Sequence, residues 1–210
     1  SYGINRSADY TATGIDLAAD HTEFNLHHNG KVYHVYSSLC AMFDVYNLIA
    51  ALVSVHETFG YPLEELIPLC ASIPQVMGRV ERIEAGQNFN VIVDYAHTPD
   101  GLDKFLSFAR EVTKKNHRLI AVFGSAGGRD SRKRPDMGAA ADKYCDIIIL
   151  TAEDPRMEDP QQIALQIQSG IINATSMIIT DRYEAIRQAV ELAEEDDTIV
   201  VLGKGDENTM

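Results

Sequence analysis

The sequence is short of cysteines, of cations and of long apolar runs, and each shortage removes a class of protein. Cys40, Cys70 and Cys145 are far apart with no C-x-x-C pair. Neither a disulfide framework nor a thiolate zinc site is therefore indicated, and a reducing, cytoplasmic location is the expectation. No stretch approaches the roughly 18 uninterrupted apolar residues that a membrane helix needs. The opening residues, Ser1 to Ser7, do not follow the charged-then-apolar order of a signal peptide. No membrane partner is expected. Lys and Arg number 18 against 31 Asp and Glu, a formal charge of -13. Such a field opposes nucleic-acid phosphates, so no nucleic-acid partner is expected either. Internal repeats and low-complexity segments are also missing, which sets solenoids and disordered tails aside.

What is present fits a packed core. Hydrophobic residues make up 45% and charged residues 23% of 210, a composition typical of folded domains. The length accommodates one complete domain plus part of another. From Tyr10 to Tyr36 apolar residues alternate in short runs, and Asn29-Gly30 marks a tight turn, which predicts antiparallel hairpins. Helical spacing then runs from Val45 to Phe59 and stops at Gly60. A second helix is predicted from Pro62 to about Ser72.

The texture changes at about residues 74 to 86, where a domain boundary is placed, giving units 1–76 and 77–210. Strands are predicted at Val91–Tyr95, Arg118–Phe123, Ile147–Thr151, Met177–Thr180 and Thr198–Leu202. Helices are predicted between them at Pro99–Lys115, Arg134–Tyr144, Pro160–Ile172 and Arg182–Glu194. Strict alternation calls for a Rossmann-like α/β unit whose mainly parallel sheet is covered on both faces.

Ligands of such sheets gather beyond the carboxyl ends of the strands, so four loops matter. The first, 94 to 100, carries Asp94, His97 and Thr98. Thr98 before Pro99 is also a sound helix cap. The second, 124 to 134, joins glycines to Arg129, Arg132, Lys133 and Arg134. It reads equally as an anion site or as a solvated basic turn. The third, Glu153-Asp154-Pro155-Arg156, sets two acids and a guanidinium at a rigid turn, suited to a zwitterion or to a surface ion pair. The fourth begins at Gly203 and Lys204. No dinucleotide fingerprint Gly-x-Gly-x-x-Gly occurs, which weakens a dehydrogenase-like reading.

The order of these segments is more specific than any one of them. Gly78-Arg79-Val80-Glu81 is followed by Asp94-Tyr95-Ala96-His97-Thr98-Pro99-Asp100 and by Phe123-Gly124 with Gly127-Gly128-Arg129-Asp130. Then come Glu153-Asp154-Pro155-Arg156 and Gly203-Lys204-Gly205 with Glu207. This series resembles the carboxyl-terminal domain of Mur ligases of the MurE type, and Ala41 to Asn47 resembles the end of their central, ATP-binding domain.

The resemblance implies an ATP-dependent, magnesium-assisted amide ligase. Such an enzyme joins a diamino acid, diaminopimelate or lysine, to UDP-N-acetylmuramoyl-L-alanyl-D-glutamate through an acyl phosphate during peptidoglycan synthesis. It implies that residues 1–76 are the end of the central domain and 77–210 the carboxyl-terminal domain, here without a phosphate loop or metal ligands. The chain is thus expected to be a part that does not turn over by itself, of an enzyme that is monomeric.

Carried over, Asn47, Arg79, Asp94 and His97 face ATP, with Asn47 at the adenine, Arg79 at the phosphates and Asp94 at the ribose. Arg129, Asp154, Arg156, Gly203 and Glu207 hold the incoming diamino acid. Three departures stand out: Glu153-Asp154 where diaminopimelate-adding relatives have Asp-Asn, Asp206 where His is common, and Asp44 where Asn is usual. A non-catalytic binding module of the same fold is the other reading the resemblance leaves open.

Overall fold

A computed structural model describes residues 1–18 and 20–205 of the chain. The chain divides into two compact units, Ser1–Gln75 and Val76–Met210.

In the first unit, β1 (Tyr2–Ile4), β2 (Tyr10–Leu17), β3 (Thr22–His28) and β4 (Lys31–Ser37) form a sheet in that order. The β2-β3 and β3-β4 pairs are antiparallel hairpins, as the alternation predicts. The short parallel edge strand β1 is not foreseen, because three residues carry too little periodicity to read. In β3 every second residue from Thr22 to Leu26 is buried, so one face of the sheet meets the core. Phe24, Leu26 and Val35 on that face pack against Val45, Leu48, Ile49 and Leu52 of α1 (Met42–Phe59). Gly60 ends α1 with φ 74°, a left-handed conformation that costs glycine little, and donates its N–H to the His56 carbonyl. The predicted second helix splits into α2 (Leu63–Leu66) and a 3-10 turn (Ile67–Ser72). Pro68 has no N–H to give, so the α ladder cannot run through it.

The second unit is a six-stranded sheet in the order β5-β6-β10-β7-β8-β9. Its strands are β5 (Glu81–Arg82), β6 (Asn90–Asp94), β7 (Leu119–Phe123), β8 (Ile147–Leu150), β9 (Thr175–Ile178) and β10 (Thr198–Leu202). All neighbours are parallel except β5, which runs antiparallel to β6. β7 and β10 are buried along their whole length, which explains why both read as unbroken apolar runs.

The helices are α3 (Pro99–Val112), α4 (Lys133–Asp142), α5 (Pro160–Gln168) and α6 (Arg182–Leu192). The steps β6-α3-β7, β7-α4-β8 and β8-α5-β9 all advance the same way across the sheet. Right-handed crossovers then place α3, α4 and α5 on one face. The return from β9 to β10 goes the other way and places α6 on the opposite face. There Ala185 and Ala189 pack on Ile120, Val122, Ile149, Ile199 and Val201. The return of β10 into the middle of the sheet brings the carboxyl ends of β6, β10, β7 and β8 side by side.

Ile149 is fully buried in this layer. Truncating it to alanine removes three buried carbons and leaves a cavity, so Ile149→Ala is expected to lower unfolding free energy by about 2 to 5 kcal/mol in urea denaturation.

Candidate functional site

The adjacent strand ends are tied together by hydrogen bonds that cross from loop to loop. Gly203 donates its N–H to the Asp94 carbonyl at 3.2 Å, joining the ends of β10 and β6. Lys133 donates to the His97 carbonyl at 2.7 Å, joining the start of α4 to the loop after β6. Gly127 donates to the Asp154 carbonyl at 2.8 Å, joining the loops after β7 and β8. A Cβ on Gly127 would stand 2.0 Å from the Pro155 carbonyl oxygen, so only glycine permits this approach. The buried Arg182 reaches the Leu202 carbonyl at 2.9 Å from below.

Between these loops lies a cleft of about 430 Å³. Arg129, Lys133, Arg156 and Lys204 bring positive charge to it, and Glu153 and Asp154 bring negative charge; Tyr95, His97, Ala126 and Gly203 complete its walls. Four residues carried over for the diamino acid, Arg129, Asp154, Arg156 and Gly203, therefore share one space with His97, which the resemblance assigned to ATP. Glu207 lies outside the described residues.

Arg129 is exposed. Arg156 holds a left-handed backbone, φ 50°, which costs a non-glycine residue about 1 to 3 kcal/mol and is characteristic of ligand-clamping loops. Its Nε sits 3.3 Å from Asp154, both side chains about two-fifths exposed. This is a surface ion pair as well as part of the cleft, and a ligand carboxylate can compete with it.

Glu153 is the most constrained acid of the cleft. It is 8% exposed, and among the described residues its Oε2 has no hydrogen-bond partner. Burial raises its pKa, while Lys133, His97, Arg182 and Lys204 pull the other way. Gly203, at φ 90°, makes room for this carboxylate: a Cβ there would meet Oε2 at 2.8 Å. An acceptor held dry and unpaired beside a cleft is ready for a donor brought by a ligand.

The ATP-directed residues sit as follows. Asp94 is buried, and its two oxygens accept the N–H groups of Ala96 at 2.8 Å and Val80 at 3.0 Å. Burial raises its pKa, against the opposing effect of those amides and of Arg79. Val80 is β-branched yet has φ 46°, a conformation that needs such an anchor. The turn presents Arg79 over the Tyr95 ring, 4.6 Å from its centre. His97 donates from Nδ1 to the Tyr95 carbonyl at 2.9 Å, which leaves Nε2 as an acceptor. Thr98 caps α3 by accepting from Gly101 at 3.1 Å. Asn47 is exposed on α1 of the first unit.

The cationic run from Arg129 to Arg134 does not act as one cluster. Arg132 is almost fully exposed beside Asp130, and Lys133 donates one hydrogen bond to the His97 carbonyl while its charge lines the cleft. Arg134 is completely buried and donates to Glu158 at 2.8 Å, to Gln166 at 2.7 Å and to the Ala126 carbonyl at 3.1 Å. Glu158 in turn accepts the Gly128 N–H at 2.6 Å. Arg134 and Glu158 thus hold the backbone that aims Arg129. Neither this role nor the place of Glu153 in the cleft is evident from residue type, because each depends on partners distant in sequence.

The Arg134 guanidinium and the Gly128 amide bring the Glu158 pKa from 4.5 down to about 2. A depressed carboxyl stabilises the fold above its unfolded value and loses that contribution as pH falls towards the folded one. The gap in urea midpoint between the parent chain and Glu158→Gln is therefore expected to be full above about pH 5 and to close as pH falls towards about 2. A gap that stays constant with pH contradicts the pairing.

Residues 78–205 match the family model described as Mur ligase, glutamate ligase domain. The chain is 42% identical over 217 residues to the UDP-N-acetylmuramoyl-L-alanyl-D-glutamate--2,6-diaminopimelate ligase of Syntrophomonas wolfei, covering 99% of the chain and 42% of that protein. It is 41% identical over 216 residues to the UDP-N-acetylmuramyl-tripeptide synthetase of Borreliella burgdorferi, covering all of the chain and 42% of that protein. A solved structure of a UDP-N-acetylmuramoyl-L-alanyl-D-glutamate--2,6-diaminopimelate ligase superposes with a TM-score of 0.69 at 37% identity, over 99% of the chain and 42% of that structure. The chain spans about 42% of the length of these relatives. A family model that matches more than half of its residues places this chain in the Mur ligase family.

Proposed function

We propose that this chain is the part of an ATP-dependent amide ligase that receives a diamino acid, meso-diaminopimelate, for addition to UDP-N-acetylmuramoyl-L-alanyl-D-glutamate. The observation that carries the reading is the shared cleft in which Arg129 and Arg156, from separate loops, flank Glu153 and Asp154. Diaminopimelate has a carboxylate and an ammonium at each end, and the cleft offers both complements. Guanidinium forks suit carboxylates, while Glu153 and Asp154 suit an ammonium group. Relatives whose names include diaminopimelate support this choice over lysine. Glu207 belongs to the proposed ammonium-binding set.

An attacking amine must be neutral to form an amide. The cations around the cleft favour the free-amine form of the attacking group, and the buried Glu153 is placed to accept a hydrogen bond from it, while Asp154 remains for the ammonium at the other end of the ligand.

Residues 1–76 are proposed as the end of the central domain, with Asn47 at adenine. In the second unit, Arg79 has the charge and exposure to meet nucleotide phosphates, and His97 Nε2 can accept a hydrogen bond. Asp94 fits the ribose through lone pairs beyond the two it gives to backbone amides. ATP, when bound, supplies the phosphoryl group that activates the glutamate carboxylate. The Mg2+ ligands are assigned to the phosphate-loop part of the enzyme.

The test is incorporation of diaminopimelate by the full-length ligase containing this chain. Arg129→Ala and Arg156→Ala are each expected to raise the diaminopimelate KM by about 10- to 100-fold, through loss of a charge-assisted pair, while the ATP KM stays within about twofold. Lysine incorporation as efficient as that of diaminopimelate, or an unchanged KM in both variants, overturns the proposal.

A further inference from the structure

In the first unit, two histidines and a glutamate meet at the junction of β3 and α1. One donor atom each of His28, His56 and Glu57 lies within 4.8 Å of the other two. His28 stands at the end of β3, next to the Asn29-Gly30 turn, and His56 and Glu57 occupy the last turn of α1. The two imidazole rings are 5.8 Å apart and nearly perpendicular.

Their hydrogen bonds fix which nitrogen is available. His28 Nδ1 lies 2.9 Å from the Asp9 carbonyl, and His56 Nδ1 lies 2.6 Å from the Tyr61 carbonyl. A carbonyl only accepts, so both Nδ1 atoms carry the proton and both Nε2 atoms keep a lone pair. Glu57 is held as well: Tyr10 donates its hydroxyl to Oε1, which leaves Oε2 free to ligate. Burial first, and the Glu57 carboxylate second, raise the Tyr10 pKa, so the phenol remains a donor. Tyr10 also stacks on His28, with ring centres 3.9 Å apart and planes 3° from parallel. Each of the three side chains therefore has the outer partner that orients a metal ligand: a backbone carbonyl for each imidazole and a hydroxyl for the carboxylate.

We propose that His28, His56 and Glu57 form a binding site for a borderline divalent transition metal, Zn2+ foremost, that ties the end of β3 to the end of α1. Two imidazoles and one carboxylate suit Zn2+, Co2+ or Ni2+ and do not suit Mg2+ or Ca2+, which require mostly oxygen donors. Ligands of a tetrahedral zinc stand about 3.4 Å apart, so the three groups close by at most roughly 1.4 Å on binding. The Glu57 carboxylate pivots about its hydrogen bond from Tyr10, and each imidazole turns about its anchored Nδ1, to make that closure. The metal replaces one neutral hydrogen bond, the 2.9 Å contact from the Asn29 amide to His28 Nε2. Solvent completes the coordination. The site is independent of the ligase reading, since it uses no residue of the cleft.

The experiment is calorimetric titration of the full chain with ZnCl2, combined with NMR of the histidine ring C–H resonances. One equivalent is expected to bind, shifting His28 and His56 while His21 and His34 stay in place. Glu57→Gln, an exposed change that leaves the helix intact, is expected to weaken binding at least about 10-fold, and Tyr10→Phe by about 10-fold through the carboxylate. His56→Ala is expected to abolish it. No stoichiometric binding, unchanged binding in Glu57→Gln and His56→Ala, or shifts confined to other histidines would each overturn the proposal. An excess of MgCl2 that displaces the zinc would overturn the assigned metal class.

Discussion

The cleft depends on one buried cation. Arg134 has no exposure, yet it enters the interior with partners for its charge: Glu158, Gln166 and the Ala126 carbonyl. A guanidinium taken out of water is tolerable only when paired and hydrogen-bonded. That requirement reaches outward, because Glu158 spends its other bond on the Gly128 amide. The loop after β7 is therefore fixed from inside the protein as well as by the contact of Gly127 with the neighbouring loop. Arg129, which follows directly, gains a defined origin while its own side chain stays free to meet a ligand.

The other rim loops are positioned by the same logic of committed backbone groups. Asp94 spends its oxygens on Val80 and Ala96, so the turn carrying Arg79 and the turn carrying His97 are built on one carboxylate. Gly127 approaches the third loop so closely that a side chain would collide with Pro155. Glu153 is left as the acid whose Oε2 is dry and without a hydrogen-bond partner among the described residues. Stability is thus given up at Glu153 and at the left-handed Arg156, and also at Val80, at the buried Ser125 hydroxyl and at Arg134 Nε, the last two without a hydrogen-bond partner among the described residues.

Much of this architecture is legible in the sequence. The apolar runs of β7 and β10 announce a buried parallel sheet, Gly60 marks the end of α1, and Thr98-Pro99 marks the start of α3. The four rim loops are legible because the carboxyl ends of parallel strands collect ligand-binding residues. The order of the strands is not, since the insertion of β10 between β6 and β7 is a tertiary choice with no local signature. The cationic run 129–134 shows the limit most clearly. Arg129 and Arg134 look alike in sequence, but one is exposed and the other is wholly buried. The difference is made by Glu158, 24 residues from Arg134. The meeting of His28 with His56 is hidden for the same reason, as it requires the end of β3 to reach the end of α1.

The most direct measurement of the central constraint is amide hydrogen exchange in Arg134→Met, a substitution that keeps bulk but removes the charge and its donors. With Glu158 no longer paired, the Gly127 and Gly128 amides should lose protection selectively, while Ile120 and Val122 in β7 remain protected to nearly the parental extent. Equal protection of Gly128 in both proteins would show that the loop holds itself, and would contradict the role given to Arg134.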